Sequence, residues 1–527
     1  MKLSILDIAI VLVYLAGVFA LAQWVSREKA GHKKDVKDYF LAGKTLPWWA
    51  IGTSTIAANI SAEQIIGMSG SGYASGLAIA SYEWMAALTL LIVAKWFLPI
   101  FLRNNIYTMP QFLEERFGKR IRTVMAVFWL VLYVFVNLTS ILWLGSLAIA
   151  RVTGMDQFTA LVVLGTFALA YQMFGGLKAV AMTDPVQVTL LVLGGFALTA
   201  LTLSAVALGA VGHGGGILAG LHKLWSEHPE HFQMILSPDN PEYTNLPGLG
   251  VLFGGLWIMN LSYWGFNQYI IQRSLAAANI GEAQKGLLLT AFLKLLIPVI
   301  VVVPGIAAVA LAPNLQAKDW AYPTMLHLLP PGALGLVFAA LVAAIISSLA
   351  SKINSIATIF TLDFYAKRAK RYDQSDLVKV GRIAGVVAVI IGIALAKPLV
   401  GSFDQAFQYI QRFTGFFTPG ITVIFLLGLF WKPANETGAL VATIGGFVLS
   451  TVYFFVFPEV PFLNSVGYVF LLSLVLAVVA SKLVPTKTAQ EKDSIRTEDI
   501  IFSTSASFNI GALLVIAIVA VLYTVFW

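Results

Sequence analysis

Cysteine is absent from all 527 residues, which excludes disulfides, iron–sulfur clusters, thiolate zinc sites and cysteine nucleophiles at once. Charge is scarce as well: Asp, Glu, Lys and Arg make up 11% of the chain, against about 25% in soluble domains. Long polar linkers are missing, so nothing divides the chain into separate globular units. The six histidines, at 32, 213, 222, 228, 231 and 327, all fall between apolar segments. None forms an HExxH pair within one, which speaks against an intramembrane zinc hydrolase. What fills the space is apolar: 58% hydrophobic residues, 44 glycines besides, and a mean hydropathy of +0.83. No soluble core absorbs that much apolar surface. Residues 1–527 therefore read as one polytopic, all-α membrane domain.

A helix needs about 20 mostly apolar residues to cross the hydrocarbon layer. Fourteen segments qualify: 3–25, 48–68, 77–102, 124–150, 158–173, 185–208, 250–270, 286–312, 334–362, 383–400, 407–431, 438–457, 464–481 and 508–526. Placing the N-terminus outside puts the loops at 26–47, 103–123, 174–184, 271–285, 363–382, 432–437 and 482–507 in the cytoplasm. Those loops hold 25 of the 34 Lys and Arg residues. The opposite side holds Lys2, Arg151, Lys223, Lys318 and Lys397, although its loop at 209–249 is the longest. This asymmetry predicts both termini outside the plasma (inner) membrane. The net charge of +8 then reports topology, and no nucleic-acid partner is expected.

Polar groups at membrane depth are costly enough to mark function. The second segment is interrupted by Asn59-Ile60-Ser61-Ala62-Glu63-Gln64, followed by Gly67, Gly70 and Gly72. The seventh is interrupted at Asn260-Leu261-Ser262-Tyr263-Trp264-Gly265-Phe266-Asn267-Gln268. Paired broken helices in corresponding positions point to a transporter site built on inverted repeats. With the first helix (3–25) set aside, the breaks fall in helices one and six of the next ten, the placement of the LeuT-like five-plus-five inverted repeat. Residues 48–208 and 250–431 are then the two repeats, 209–249 an extracellular loop, and 432–527 three peripheral C-terminal helices.

Two clusters follow from the polar inventory. Ser347 and Ser348, with backbone carbonyls of Ala57, Ile60 and Ala344, would supply five neutral oxygens, a set suited to a hard cation such as sodium. Gln64, Glu83, Asn137, Asn260, Lys294 and Gln411 form an amide-rich lining with one acid and one base. That chemistry suits a neutral ligand with many hydroxyls, such as a hexose, whose C–H face could lie on Tyr263 or Trp264.

These residues carry a resemblance. Asp38-Tyr39-Phe40-Leu41-Ala42-Gly43, the run AANISAEQIIGMSGSG at 57–72, Ser81-Tyr82-Glu83-Trp84, GFNQYIIQR at 265–273, SSLAS at 347–351 and FQYIQ at 407–411 resemble the sodium:solute symporter family. Within it, they are similar to the sodium/glucose and sodium/galactose cotransporters, the bacterial galactose branch above all. The resemblance implies coupled entry of sodium and a hexose by alternating access, with no cofactor beyond the coupling ion. Its sugar ligands match Gln64, Glu83, Asn137, Asn260, Lys294 and Gln411. Tyr263 matches an inner gate with Trp264 beside it, and Met68, Tyr82 and Phe407 match an outer gate. Its sodium ligands match Ala57, Ile60, Ala344, Ser347 and Ser348, and Asp184 matches an acid on the ion exit route.

Two positions depart from the pattern. Ala86 stands where the galactose branch has a serine, which bears on epimer preference. Lys352, one turn after Ser348, stands where relatives have an apolar residue, and its long chain is expected to snorkel to the cytoplasm. Other readings stay open: a family member carrying a different solute, or a membrane sugar sensor that does not move its ligand. An enzyme is not expected, because neither a metal motif nor an activated nucleophile is present.

Overall fold

The computed structural model describes residues 3–25, 44–106, 108–208, 216–368, 374–484 and 500–527. The motif at 38–43 lies outside them, as does His32. Within them the chain is almost wholly helical, and the one isolated β-bridge joins Leu46 to Ala277. This is what apolar runs must do in hydrocarbon, where only internal pairing satisfies the backbone.

Among the described residues, ten helices are long and apolar enough to cross a membrane, and Ile5–Leu21 and Gln157–Met173 are shorter apolar helices. Both expected interruptions are present. The helix Trp48–Asn59 stops where Ile60 turns extended (φ −69°, ψ 97°), and the chain resumes through a π-helical turn, Glu63–Gly67, into Met68–Ser75. The second break runs from Gly255–Leu261 through the π turn Ser262–Phe266 to an extended Asn267 (φ −82°, ψ 121°), then Gln268–Leu275.

Helical backbone runs without interruption over Gln157–Leu208, including 174–184, where a loop was expected. That stretch nevertheless folds back on itself. The Tyr171 hydroxyl lies 2.7 Å from that of Thr183, whereas twelve residues of straight helix would separate them by about 18 Å. Gln157–Leu208 is therefore sharply bent between the two arms that the sequence reads as separate spans.

Small residues bring the first broken helix against Ile280–Leu311. A Cβ on Gly52 would come within 2.8 Å of the Gly286 carbonyl oxygen, and one on Gly305 within 2.2 Å of the Ser69 carbonyl oxygen. Close backbone approach of this kind replaces hydrophobic driving force between membrane helices. The helix bearing Ser347 and Ser348 is central: 89% of the apolar window of Ala333–Tyr365 is buried, against 22% for Glu436–Val456 and Ala506–Val525. The latter two belong to the periphery.

The connections sort onto two faces. On one, Asp7 accepts the Gly332 and Gly335 N–H groups at 2.7 and 2.8 Å, and the Tyr73 hydroxyl donates to Pro313 O at 2.7 Å. There too Gln405 donates to Glu242 at 3.1 Å, and the Met234 N–H donates to Phe526 O at 2.7 Å. On the other, the Trp48 N–H donates to Glu282 at 2.7 Å. Arg116 on that face donates to the carbonyls of Gly428, Ala434 and Trp431 at 3.0 Å each, and Arg122 pairs with Glu114 at 2.6 Å. Among the described residues, Asp7 near the start of the first helix and Phe526 after the last lie on the same face.

Candidate functional site

The two helix breaks meet in the middle of the protein. The last four carbonyls of an α-helix lack an intrahelical donor, so stopping at Asn59 frees the oxygens of Ala57, Ala58 and Asn59. The Ser348 hydroxyl takes one of them, donating to Ala58 O at 3.1 Å. Beside it, the Ser347 hydroxyl donates to Asp184 Oδ1 at 2.6 Å, and the Ser54 hydroxyl donates to Oδ2 at the same distance. Ala57, Ile60, Ala344, Ser347 and Ser348 are all buried. Ala57 and Ile60 flank the break, opposite the helix that carries the other three.

A second cluster begins one residue on. The Asn59 side chain accepts from Lys294 Nζ and donates to the Tyr263 hydroxyl at 3.0 Å. Lys294 also pairs with Glu83 at 2.5 Å and lies 4.9 Å from the centre of the Trp264 ring. The Trp264 indole N–H donates to Asn260 Oδ1 at 3.2 Å. Tyr269 donates to the Tyr263 hydroxyl at 2.6 Å. Gln64 accepts from Ser61 at 3.2 Å. This buried network leaves Asn137 Oδ1, Asn260 Nδ2 and Glu63 Oε1 without partners among the described residues. Donors and acceptors of opposite sense stay available to a polyhydroxylated ligand, in a setting where an unpaired group costs about 1–3 kcal/mol.

Of the expected lining, the structure brings Glu83, Asn260, Lys294, Tyr263 and Trp264 into one network. Asn137 and Gln64 are buried as well. Gln411 is only partly buried, and none of the hydrogen bonds described above reaches it. Met68, Tyr82 and Phe407 are buried, and the rings of Tyr82 and Phe407 meet edge to face at 5.2 Å. Tyr263 is partly exposed, with its ring 5.0 Å from that of Trp264.

Three π-helical segments hold site residues: Glu63–Gly67 with Gln64, Leu132–Leu138 with Asn137, and Ser262–Phe266 with Tyr263 and Trp264. Such bulges recur at functional sites, because the extra residue per turn redirects side chains.

Sequence reading missed the partners that tie the clusters together. Arg273, assigned by position to a loop at 271–285, is buried at 1% exposure. It donates to Ser54 O and Oγ at 3.1 and 3.0 Å and to Ser351 Oγ at 2.6 Å. Its place at the end of GFNQYIIQR was the available signal. Tyr269 gave none, being one aromatic among many. Lys352 does not snorkel: its side chain is wholly buried, with Nζ 3.3 Å from Ser348 Oγ and 4.3 Å from the Tyr269 ring centre. Arg412 and Lys95 stand apart, against the rings of Phe454 and Trp96.

A model of the sodium:solute symporter family matches residues 39–446. The chain is 49% identical to a sodium/glucose cotransporter of Vibrio parahaemolyticus over 100% of this chain and 99% of that one. It is 36% identical to the human sodium/myo-inositol cotransporter 2 over 85% of this chain and 69% of that protein. Among solved structures, a substrate-bound, outward-open sodium-coupled sialic acid symporter superposes with a TM-score of 0.79 at 23% identity, covering 91% of this chain and 98% of that one. The nucleobase–cation symporter Mhp1, closed around bromovinylhydantoin, superposes at 0.52 and 14% identity over 86% and 98%. The fold is thus that of the LeuT-like sodium symporters.

Proposed function

This chain belongs to the sodium:solute symporter family, and from that premise we propose that it is a secondary active symporter coupling inward sodium movement to hexose uptake by alternating access. It is a transporter and not an enzyme, and sodium is its coupling ion. One observation carries the reading: Ala58 and Asn59 are adjacent, the carbonyl of one held by Ser348 and the side chain of the other by Lys294 and Tyr263. Whatever fixes the first fixes the second.

In this reading sodium sits among the oxygens of Ala57, Ile60, Ala344, Ser347 and Ser348 and steadies the unwound backbone. That preorganises Asn59 and Gln64 for sugar, which binds to Gln64, Glu83, Asn137, Asn260, Lys294 and Gln411 with its ring against Tyr263 and Trp264. Ion and sugar then favour each other's binding to the same degree. Met68, Tyr82 and Phe407 close the outer side, Tyr263 the inner, and sodium leaves past Asp184. The repeats at 48–208 and 250–431 rock against each other around the site. Fourteen crossings, with both termini outside, suit the shared face of Asp7 and Phe526 and the positive charge opposite.

The driving force is sufficient. One charge moving through 100 mV contributes about 2.3 kcal/mol, and a tenfold sodium gradient about 1.4 more. The total supports roughly 500-fold accumulation. The test is hexose entry into sealed proteoliposomes with sodium gradient and voltage varied separately. Uptake that responds to both supports the proposal; indifference to both refutes it. Ser348→Ala should raise the sodium needed for half-maximal uptake, and Asn260→Ala or Gln411→Ala should weaken sugar binding. A second reading, a cyclic polyol as cargo, draws on the relative named for myo-inositol; competition by unlabelled hexoses and inositol separates the two.

A further inference from the structure

Lys352 introduces a positive charge where the proposed ion site needs oxygens alone. Its Nζ donates to Ser348 Oγ at 3.3 Å, and the same hydroxyl donates its own hydrogen to Ala58 O at 3.1 Å. A serine hydroxyl has one hydrogen and two lone pairs, so the ammonium takes up a lone pair that a metal ion would use. The side chain has no exposed surface and cannot reach water from here. Two neighbours favour its charge in place: the Tyr269 ring lies 4.3 Å away, a favourable cation–π distance, and the Glu63 carboxylate is within electrostatic reach. Arg273 acts against it from the neighbouring broken helix, although that guanidinium is committed to Ser54 and Ser351.

We propose that the Lys352 ammonium is a tethered competitor for sodium, occupying the ion site through Ser348 and yielding to the incoming ion. This inference rests on the ion site proposed above. Two cations cannot share the Ser348 oxygen in a buried setting without strong repulsion. Sodium binding must therefore displace the lysine, and Lys352 sets how much sodium the transporter requires. It is a specificity-determining residue for the ion, distinct from the groups that ligate it.

The experiment uses the full chain in sealed proteoliposomes at fixed pH. Initial hexose uptake is followed against external sodium for the native protein, Lys352→Met, Lys352→Gln and Ser348→Ala. Radioactive sodium binding to the purified proteins gives a readout independent of transport. Lys352→Met removes the charge but keeps the bulk; Lys352→Gln keeps a donor and covers the case in which the methionine variant misfolds. Both should reach half-maximal uptake and half-saturated binding at sodium concentrations at least about tenfold lower, a small part of the repulsion that two buried cations at contact distance would feel. Sodium curves that coincide with the native one in both variants overturn the proposal. Should native uptake ignore sodium while the variants acquire a sodium requirement, sodium coupling of the native chain fails and the lysine's occupancy of the site stands. Should Ser348→Ala leave native sodium dependence unchanged, the ion site is misplaced and the inference falls with it.

Discussion

Asp184 Oδ1 accepts the Ser347 hydroxyl at 2.6 Å, and this contact decides which way the serine's lone pairs point. With its one hydrogen directed at the carboxylate, Ser347 turns both lone pairs away from it. Ser54, which bonds the other oxygen, fixes the carboxylate in turn. Asp184→Asn replaces one acceptor oxygen by a donor that competes for the serine oxygen. The expected result is a rise of about tenfold in half-saturating sodium, the worth of one hydrogen bond to a charged group. Hexose affinity at saturating sodium should be little changed. Sodium titration of uptake at several sugar concentrations checks this, and loss confined to sugar affinity would contradict it.

The Glu83–Lys294 pair is buried on both sides, with side-chain exposures of 3% and 1%. Removing one partner leaves an uncompensated charge, which costs about 3–5 kcal/mol. Glu83→Gln should therefore lower the unfolding temperature in detergent and abolish hexose binding. The double variant Glu83→Gln with Lys294→Gln should recover most of the stability but not the binding. A double variant as unstable as the single one would show that the pair does not act as a unit.

Much of this arrangement was legible because it rests on groups that membranes make expensive. Asn59, Asn260, Glu83 and Lys294 stand out in apolar runs, and their depth predicts convergence. The link between the clusters was not legible. It runs through Tyr269 and Arg273, residue types common at span ends, and depends on which way a π turn aims Tyr263. Lys352 shows the limit most plainly. Snorkelling is the ordinary fate of a long basic side chain within a span, and only tertiary packing, by placing Tyr269 and Ser348 around it, holds it inside. The stretch at 174–184 was expected as a loop between two spans; the backbone stays helical there, and the contact of Tyr171 with Thr183 had no signal in the sequence.

Tyr263 joins Asn59 and Tyr269 through one hydroxyl. Tyr263→Phe keeps the ring and removes both bonds, so stacking on a sugar should persist while the inner side loosens. At about 1 kcal/mol for such a bond, a severalfold faster release of preloaded hexose is expected, with a comparable loss of affinity. Tyr263→Ala should lose binding altogether. Equal release rates for the native protein and the phenylalanine variant would remove the hydroxyl from any gating role.

Asp319, in the turn Lys318–Trp320, provides the pH dependence. Its Oδ2 accepts the Ala406 N–H at 3.0 Å, while Oδ1 lacks a partner among the described residues. Gly70 leaves the room: a Cβ there would lie 2.6 Å from Oδ1. Burial pushes the carboxyl from its ordinary 3.8 up to about 8, Asp404 adds to the rise, and the Ala406 N–H opposes it. The buried arrangement thus keeps a proton that an exposed Asp319 releases above 3.8. If Asp319 is buried when this face closes and exposed when it opens, closure is fully favoured below that value, weakens as pH rises through the interval, and levels off above about 8. A chain without cysteine makes the measurement direct, because Ser71→Cys is then the only thiol. Ser71 bonds Gln405 at 3.1 Å under the same turn. Labelling of that cysteine should quicken from pH 5 to pH 8 more than thiol ionisation alone dictates. Asp319→Asn, which cannot ionise, should leave only the thiol's own pH dependence. Identical labelling profiles with and without the carboxyl would separate Asp319 from closure.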